Sequence, residues 1–426
     1  MLKQILKQLW TQRRSNVWIL LELIVVSVAI WWVIDPLFVI RCNQSIPQGF
    51  NYTGIYRITL GELPQKSPHY KAEESDSVNA MINFNRIIDR IKHYPGVEAL
   101  TVTDYCYPLS EGNSQSSYCC KSNTVNAQNM YYYNIGDYFQ VFRYTSTKDH
   151  RWQTLAKVET KTNDVFITKD IEKKLFGEKS ALGMKLTGDD STNVYTVAGV
   201  LDYVKATSSE QPHPVILLPL KDLNYRQLPN EVQIFLRMKE GMAERPFLEA
   251  FKKQMFGELC IGNYYLVQIT PFSKIKTDYE YSNGITNTLR IKTGLAIFLL
   301  VNMLLGIIGT FWLKCRARRG EIGLRMVLGS TRKELHRFFL IEGWLLTTLA
   351  FLIGIIISLQ FVYINGFYQS GVNNEAGTPW VNNMFLHFIA VSVIVYLLLL
   401  VTVIIGTWLP VSKACRVSPV DVLRDE

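Results

Sequence analysis

The sequence predicts an α-helical membrane protein. Four transmembrane helices stand in a 1 + 3 arrangement, and a large α+β extracytoplasmic domain is inserted between the first and the second. Three observations carry this. Apolar blocks at 17–40, 291–313, 338–364 and 385–410 each come near the roughly 20 residues that cross a bilayer core. A polar block, 41–290, separates the first from the other three. The basic residues gather on one side of the blocks only. Across 426 residues, 48% are hydrophobic and 19% charged, and the mean hydropathy is +0.07. That average excludes a disordered chain and one made mostly of membrane spans.

Residues 1–16 form an N-terminal segment carrying Lys3, Lys7, Arg13 and Arg14 and no acid. The first span follows at 17–40. Its core is apolar except for Glu22. The run is too long for a signal h-region and no small-x-small site follows it, so it reads as a retained span.

The outer block, 41–290, alternates strand and helix patterns, as α+β layers do. Strands are expected at Gly54–Leu60, Val97–Tyr107, Val165–Thr168, Tyr195–Leu201, Val215–Leu218 and Val232–Met238. Helices are expected at 74–93, where Met81, Phe84, Ile87, Ile88 and Ile91 recur at helical spacing, at Lys169–Phe176, stopped by Gly177, and at 243–256. Residues 108–164, rich in Ser, Asn and Tyr, read as an inserted lobe. A single long helix over 279–313 would rise as a stalk into the second span, 291–313.

Five cysteines fall outside: Cys42, Cys106, Cys119, Cys120 and Cys260. An odd number cannot pair completely. The candidate disulfide joins Cys106 to Cys119 or Cys120, and the alternative is free thiols. The six histidines are scattered and none lies in an HExxH pattern, so no metal site is expected. No G-x-S-x-G or ordered Ser/His/Asp set supports hydrolysis.

The inner loop, 314–337, holds Lys314, Arg316, Arg318, Arg319, Arg325, Arg332, Lys333 and Arg337 against Glu321 and Glu334. Its +6, with +4 from the N-terminal segment, exceeds the whole net charge of +9. The short loop 365–384 carries only Glu375. By the positive-inside rule the N-terminus, 314–337 and the tail 411–426 are cytoplasmic. No nucleic acid is needed to explain the charge. Within the loop a short helix is expected at about 317–328, with Glu321 and Arg325 as an i, i+4 pair. It turns at Gly329. Thr331 and Glu334 then fit a capping box that starts the helix of the third span, 338–364. Such a surface helix anchors to anionic membrane lipid or seats on a cytoplasmic partner. The fourth span is 385–410. Glu22 and Glu342 are membrane carboxylates. Packing against a partner subunit, or reaching toward Arg337, is expected of Glu342 rather than a proton relay.

The loop resembles the R-x-R-x-EIG-x-R-x-x-LG-[AS]-T-R signature of the MacB/FtsX-like family of ABC transporter permeases. Here it reads Arg318, Arg319, Glu321, Ile322, Gly323, Arg325, Leu328, Gly329, Ser330, Thr331 and Arg332. The tail resembles the family ending through Arg416, Pro419, Leu423 and Arg424. Ser418, Pro419 and Asp421 there also read locally as a helix start. In the outer block, Asp137–Tyr138–Phe139 and the stretch with Phe176, Gly177, Gly183, Val197, Gly199 and Val200 resemble the family's MacB-like periplasmic core domain.

The resemblance implies a non-catalytic permease subunit in a bacterial inner membrane, dimeric with a second copy or a paralogue. Its loop 314–337 would couple to a cytoplasmic ABC ATPase through Arg318, Arg319, Glu321, Ile322, Gly323, Arg325, Met326 and Gly329. The outer domain would be two βαβ-like halves with an inserted lobe. No GxxxxGK[ST] loop is present, so no cofactor is expected on this chain, and ATP and Mg belong to a separate ATPase. Mechanical transmission to the outer domain, for efflux or extraction of a peptide, drug or lipid-linked substrate, with or without a periplasmic adaptor, is the implied function. Activation of a cell-wall hydrolase without transport and lipoprotein release are the alternatives.

Overall fold

The computed structural model describes residues 11, 13–110, 114–161, 163–188, 193–205, 207–220, 223–368 and 377–414. Lys3, Lys7, Glu375, Cys415 and the tail residues Arg416, Ser418, Pro419, Asp421, Leu423 and Arg424 lie outside these. The chain divides into two compact units. One holds Asn43–Ile285, and the other gathers the helices up to Cys42 and from Thr286 onward.

In chain order the elements are α1 (Arg13–Ser45), β1 (Ile55–Glu62), α2 (Ser77–Lys92), β2 (Val97–Thr103), β3 (Ser114–Cys120) and β4 (Asn123–Gly136). Next come α3 (Tyr138–Phe142), α4 (Trp152–Ala156), β5 (Asp164–Thr168), α5 (Lys169–Phe176), β6 (Lys185–Thr187), β7 (Val194–Leu201), β8 (Val215–Leu220) and β9 (Gln233–Met238). The last are α6 (Glu244–Glu258), β10 (Tyr264–Pro271), α7 (Phe272–Ser282), α8 (Ile285–Ala317), α9 (Arg319–Val327), α10 (Arg332–Asn365), α11 (Pro379–Asn382) and α12 (Met384–Ala414).

The outer unit is built on one ten-stranded sheet, ordered β10-β1-β9-β2-β4-β3-β6-β7-β5-β8. Its first four strands pair antiparallel, β1 with β10 and with β9, and β2 with β9. With α2 between β1 and β2, and α6 between β9 and β10, they form a split-βαβ arm. Asp76 caps α2, its carboxylate accepting from the Val78 and Asn79 amides at 2.9 Å. The helical spacing then turns Phe84, Ile87 and Ile91 onto the sheet, beside Phe247, Phe251 and Met255 of α6. Each such buried side chain contributes about 2 kcal/mol.

The remaining strands close on themselves. β4 pairs antiparallel with β3, and it also pairs in parallel with β8 from Gln128–Val215 to Tyr133–Leu220. β4, β3, β6, β7, β5 and β8 therefore make a ring. The 14-residue β4 joins ring to arm through β2. There Gly136, at φ +80°, brings its backbone so close to β2 that a Cβ would stand 2.0 Å from the Leu100 carbonyl oxygen. Residues 108–164 thus contribute β3 and β4 to this shared sheet. Strand alternation splits the tyrosine run. Tyr133 enters the arm core and donates to Gln227 Oε1 at 3.0 Å, while Tyr132 stacks on Tyr138 at 4.5 Å in the second core.

Buried Lys205 donates from Nζ to the Asn43 and Ile46 carbonyls at 2.7 and 2.9 Å, at the end of α1. A cation there satisfies carbonyls that the helix leaves open. Two expectations are corrected in this unit. Cys106, Cys119 and Cys120 are thiols, not a cystine. Cys119 and Cys120 are neighbours on β3, so their side chains leave opposite faces. Cys119 Sγ lies 3.4 Å from Thr124 Oγ1, and Cys106 is buried. The single helix over 279–313 is also broken. α7 ends at Ser282 because Gly284 takes φ +71°, and α8 starts at Ile285.

The other unit holds α1, α8, α10 and α12, four helices long and apolar enough to cross a membrane. They share one apolar core that includes Ile30, Trp31, Met303, Ile307, Phe311, Leu346 and Leu399. Small residues permit close approach. A Cβ on Gly306 would meet the Glu22 carboxylate at 2.1 Å, and one on Gly354 would meet Ser27 Oγ at 2.0 Å.

Candidate functional site

The loop between α8 and α10 is fixed at both of its turns. α9 ends in a Schellman motif, with Ser330 N–H donating to the Arg325 carbonyl at 2.9 Å and Gly329 N–H to the Met326 carbonyl at 3.1 Å. Gly329 supplies the left-handed residue, φ +95°. Thr331 then caps α10. Its Oγ1 accepts from Glu334 N–H at 3.3 Å, and Glu334 Oε2 accepts from Thr331 N–H at 2.9 Å.

The side chains of α9 divide by direction. Ile322 and Gly323 are buried, and Met326 packs against the helix core. Glu321 Oε1 accepts from Arg325 Nη2 at 2.6 Å, and the Arg325 guanidinium lies 4.6 Å from the Phe338 ring centroid of α10. Leu324 (54% exposed), Val327 (55%) and Leu328 (76%) form an outward apolar ridge at helical spacing. Arg319 is exposed as well.

Arg318 points elsewhere, into a buried ion cluster that sequence reasoning missed. Glu342 of α10, 2% exposed, receives Lys314 Nζ on Oε1 at 2.8 Å and Arg318 Nη1 on Oε2 at 3.0 Å. The expected reach of Glu342 toward Arg337 is therefore corrected. Five residues turn a helix through about 500°, which leaves the two side chains about 140° apart. Lys314 was legible only as one more basic loop residue. The cluster ties the end of α8 and the start of α9 to α10. A second buried pair stands in the same unit, where His387 Nε2 lies 2.8 Å from Asp35 Oδ1 and Tyr368 N–H donates to Asp35 Oδ2 at 3.0 Å. Glu22 is half-buried against α8 at Gly306. The described residues contain no group of His, Cys, Asp and Glu that could hold a metal ion.

α9 is thus a short helix with pinned ends, a buried ion cluster at its base and an outward apolar ridge. Two family models match in order along the chain. The MacB-like periplasmic core domain covers residues 42–254, and the FtsX-like permease C-terminal model covers 293–419. The macrolide export ATP-binding/permease protein MacB of Wolinella succinogenes is 26% identical over 266 residues, which is 62% of this chain and 38% of that protein. Its counterpart from Chlorobium luteolum is 23% identical over 284 residues, 65% of this chain and 40% of that protein. The chain thus spans about two fifths of the length of these curated relatives. Among solved structures, the periplasmic region of MacB from Actinobacillus actinomycetemcomitans is 12% identical, with a TM-score of 0.31 over 54% of this chain and 94% of that one. The extracellular domain of the noncanonic ABC-type transporter YknZ from Gram-positive bacteria is 13% identical, with a TM-score of 0.27 over 50% of this chain and all of that one. Scores of that size carry no argument. The order of the two family models, one of which alone covers half the chain, does: this multi-pass membrane protein belongs to the MacB/FtsX-like family of ABC transporter permeases.

Proposed function

We propose that this chain is the permease subunit of an ABC transporter that works by mechanical transmission. A cytoplasmic ATPase on a separate chain uses ATP and Mg, and its movement is received by α9. The subunit sits as a dimer in a bacterial inner membrane with both termini inside, and the outer unit acts on a peptide, drug or lipid-linked substrate moving outward. The names of the MacB relatives, as macrolide exporters, support the efflux class. Nothing in the structure favours the signalling or lipoprotein-releasing alternatives.

The observation that carries the reading is the geometry of α9. Its ends are pinned, its inner face is seated through Ile322, and its Leu324–Val327–Leu328 ridge is left outward. Glu321, Arg325 and Gly329 shape that helix, while Arg319 and the ridge meet the ATPase. The test is co-purification in detergent with the candidate ATPase, reading ATPase activity in the same samples. Wild type retains the ATPase, Leu324→Asp/Leu328→Asp loses it while keeping its fold, and Glu321→Ala/Arg325→Ala weakens it. A wild-type chain that never retains an ATPase would sink the reading and leave α9 as a lipid anchor.

A further inference from the structure

A cavity of about 340 Å³ lies within the outer unit, between one face of its sheet, α7 and the segment that follows β2. Its geometry begins in the strand register. Arg57 of β1 stands opposite Phe235 of β9, and Gln233, two positions earlier, shares that face. Phe235 packs in the same apolar core as Ile275 of α7, so α7 covers the face. Asp278 lies about one turn beyond Ile275, on the same side of the helix. Arg57, Gln233 and Asp278 all line the cavity, with Tyr105, Tyr107 and Leu109 beside them.

The polar groups of the lining have bonding capacity left over. The Arg57 guanidinium is half-buried. Its Nη1 donates to the Tyr107 hydroxyl at 2.8 Å, and that ring is held edge-on against Phe235 with centroids 4.9 Å apart. Its Nε is buried without a hydrogen-bond partner. Among the described residues Arg57 forms no ion pair, and neither does Asp278, which is exposed. The half-buried Gln233 amide has no partner there either. A guanidinium drawn partly out of water onto one neutral contact costs stability unless an anion meets it. Leu109 holds its stretch of wall at φ +61°, a conformation rare for a bulky residue and one that folds retain at binding sites.

Four features have to be matched together. They are a cation at Arg57, an anion at Asp278, an amide at Gln233 that both donates and accepts, and an aromatic wall at Tyr105, which is 55% exposed. Acetate or inorganic phosphate uses only the first. A fatty acid brings neither a cation nor an amide. A free amino acid brings both charges and no amide. A dipeptide with an aromatic side chain brings all four. The volume is near the lower end for small-molecule sites, about 300–1,000 Å³, which suits a ligand of that size.

We infer that this cavity binds a small zwitterion with an amide between its charges, of which a dipeptide is the simplest member. The carboxylate meets Arg57 in a charge-assisted contact, the amide meets Gln233, the ammonium meets Asp278 and the side chain lies against Tyr105. The inference goes beyond the transport reading and needs only the outer unit, so a failure of ATPase coupling leaves it standing.

The full chain, purified in an uncharged detergent, is titrated by isothermal calorimetry with alanyl-phenylalanine, with its C-terminal amide and with its N-acetyl form. Wild type binds the free dipeptide saturably and more tightly than either blocked form. From the strength of hydrogen bonds to charged groups, Arg57→Gln should weaken the free dipeptide at least about tenfold and leave binding of the C-terminal amide unaltered. Asp278→Asn, at an exposed carboxylate, should weaken the free dipeptide about twofold to fivefold and leave binding of the N-acetyl form unaltered. Lys253→Gln on α6, outside the cavity lining, should change nothing. The blocked dipeptides probe the site on unaltered protein, so the inference stays open to refutation even if a cavity variant folds poorly. Absence of saturable binding by wild type, equal binding of free and blocked dipeptides, or an unchanged affinity for the free dipeptide in either cavity variant would overturn the inference. So would displacement by equimolar acetate, which would make Arg57 a simple anion site.

Discussion

Glu342→Gln should be among the most damaging isosteric changes in the helix unit. The carboxylate touches two cations at 2.8 and 3.0 Å, and all three groups are buried. At an effective dielectric near 20, each contact is worth about 4 kcal/mol of attraction. Together they offset a desolvation cost of several kcal/mol per ion. Removing this carboxylate leaves Lys314 and Arg318 buried without the anion they share, and a loss of about 3–5 kcal/mol follows. Lys314→Met behaves differently, because it removes the surplus cation and leaves Glu342 matched one to one with Arg318. Its cost should be well below that of Glu342→Gln. Replacing the cluster as a whole, with Lys314→Met, Arg318→Leu and Glu342→Leu, should be near neutral or stabilising. The assay is denaturation in detergent, read by maleimide labelling of buried Cys315, with the other cysteines changed to Ser. A Lys314→Met variant as unstable as Glu342→Gln would refute the charge-balance reasoning and make the cluster a matter of packing alone.

Two further outcomes follow from local geometry. Thr331→Ala removes the cap of α10 and should cost about 1 kcal/mol, with Thr331→Ser close to wild type; hydrogen exchange at Glu334 and Leu335 reads the fraying. In the outer unit, burial pulls the His213 imidazole down to about 4, from an ordinary value of about 6.5, with Nε2 2.6 Å from Gln128 Oε1. The folded state then binds fewer protons than the unfolded chain between these values. Stability is full above pH about 6.5 and falls toward pH 4, by up to about 3 kcal/mol. Denaturation of the full chain across that window should show the slope, and His213→Gln should flatten it.

Features set by short-range chemistry were legible in the sequence. The spans follow from apolar length, and the turn at Gly329 and the Thr331–Glu334 box follow from residue types three positions apart. Lys169–Phe176 ends at Gly177 as expected, with Gly177 at φ +67°. Features set by distant partners were not. β3 and β4 are rich in Ser, Asn and Gln, with little apolar alternation, and β4 is held by ladders to β8 and β2 that no local pattern announces. Arg337 is the cation next to Glu342 along its own helix, whereas both cations that Glu342 meets arrive from α8 and its junction with α9. The ridge of Leu324, Val327 and Leu328 was visible as three apolar letters. Its outward direction was not, because Ile322 and Met326 compete for the inward side.

The position of β9 between β1 and β2 has a consequence for biosynthesis. The ring strands lie within residues 114–220 and find their partners among themselves. The arm must wait, since Tyr56 faces Pro271 and Ile58 faces both Ile269 and Ile234. At a translation rate of about 5–20 residues per second, the nascent β1 spends about 10–40 s before both of its neighbours are made. Throughout that interval β1 and β2 offer apolar, unpaired edges to any other chain nearby. Ribosome speed between Glu62 and Pro271, and the shielding available to the emerging polypeptide, therefore bear on how much of this protein reaches its finished sheet.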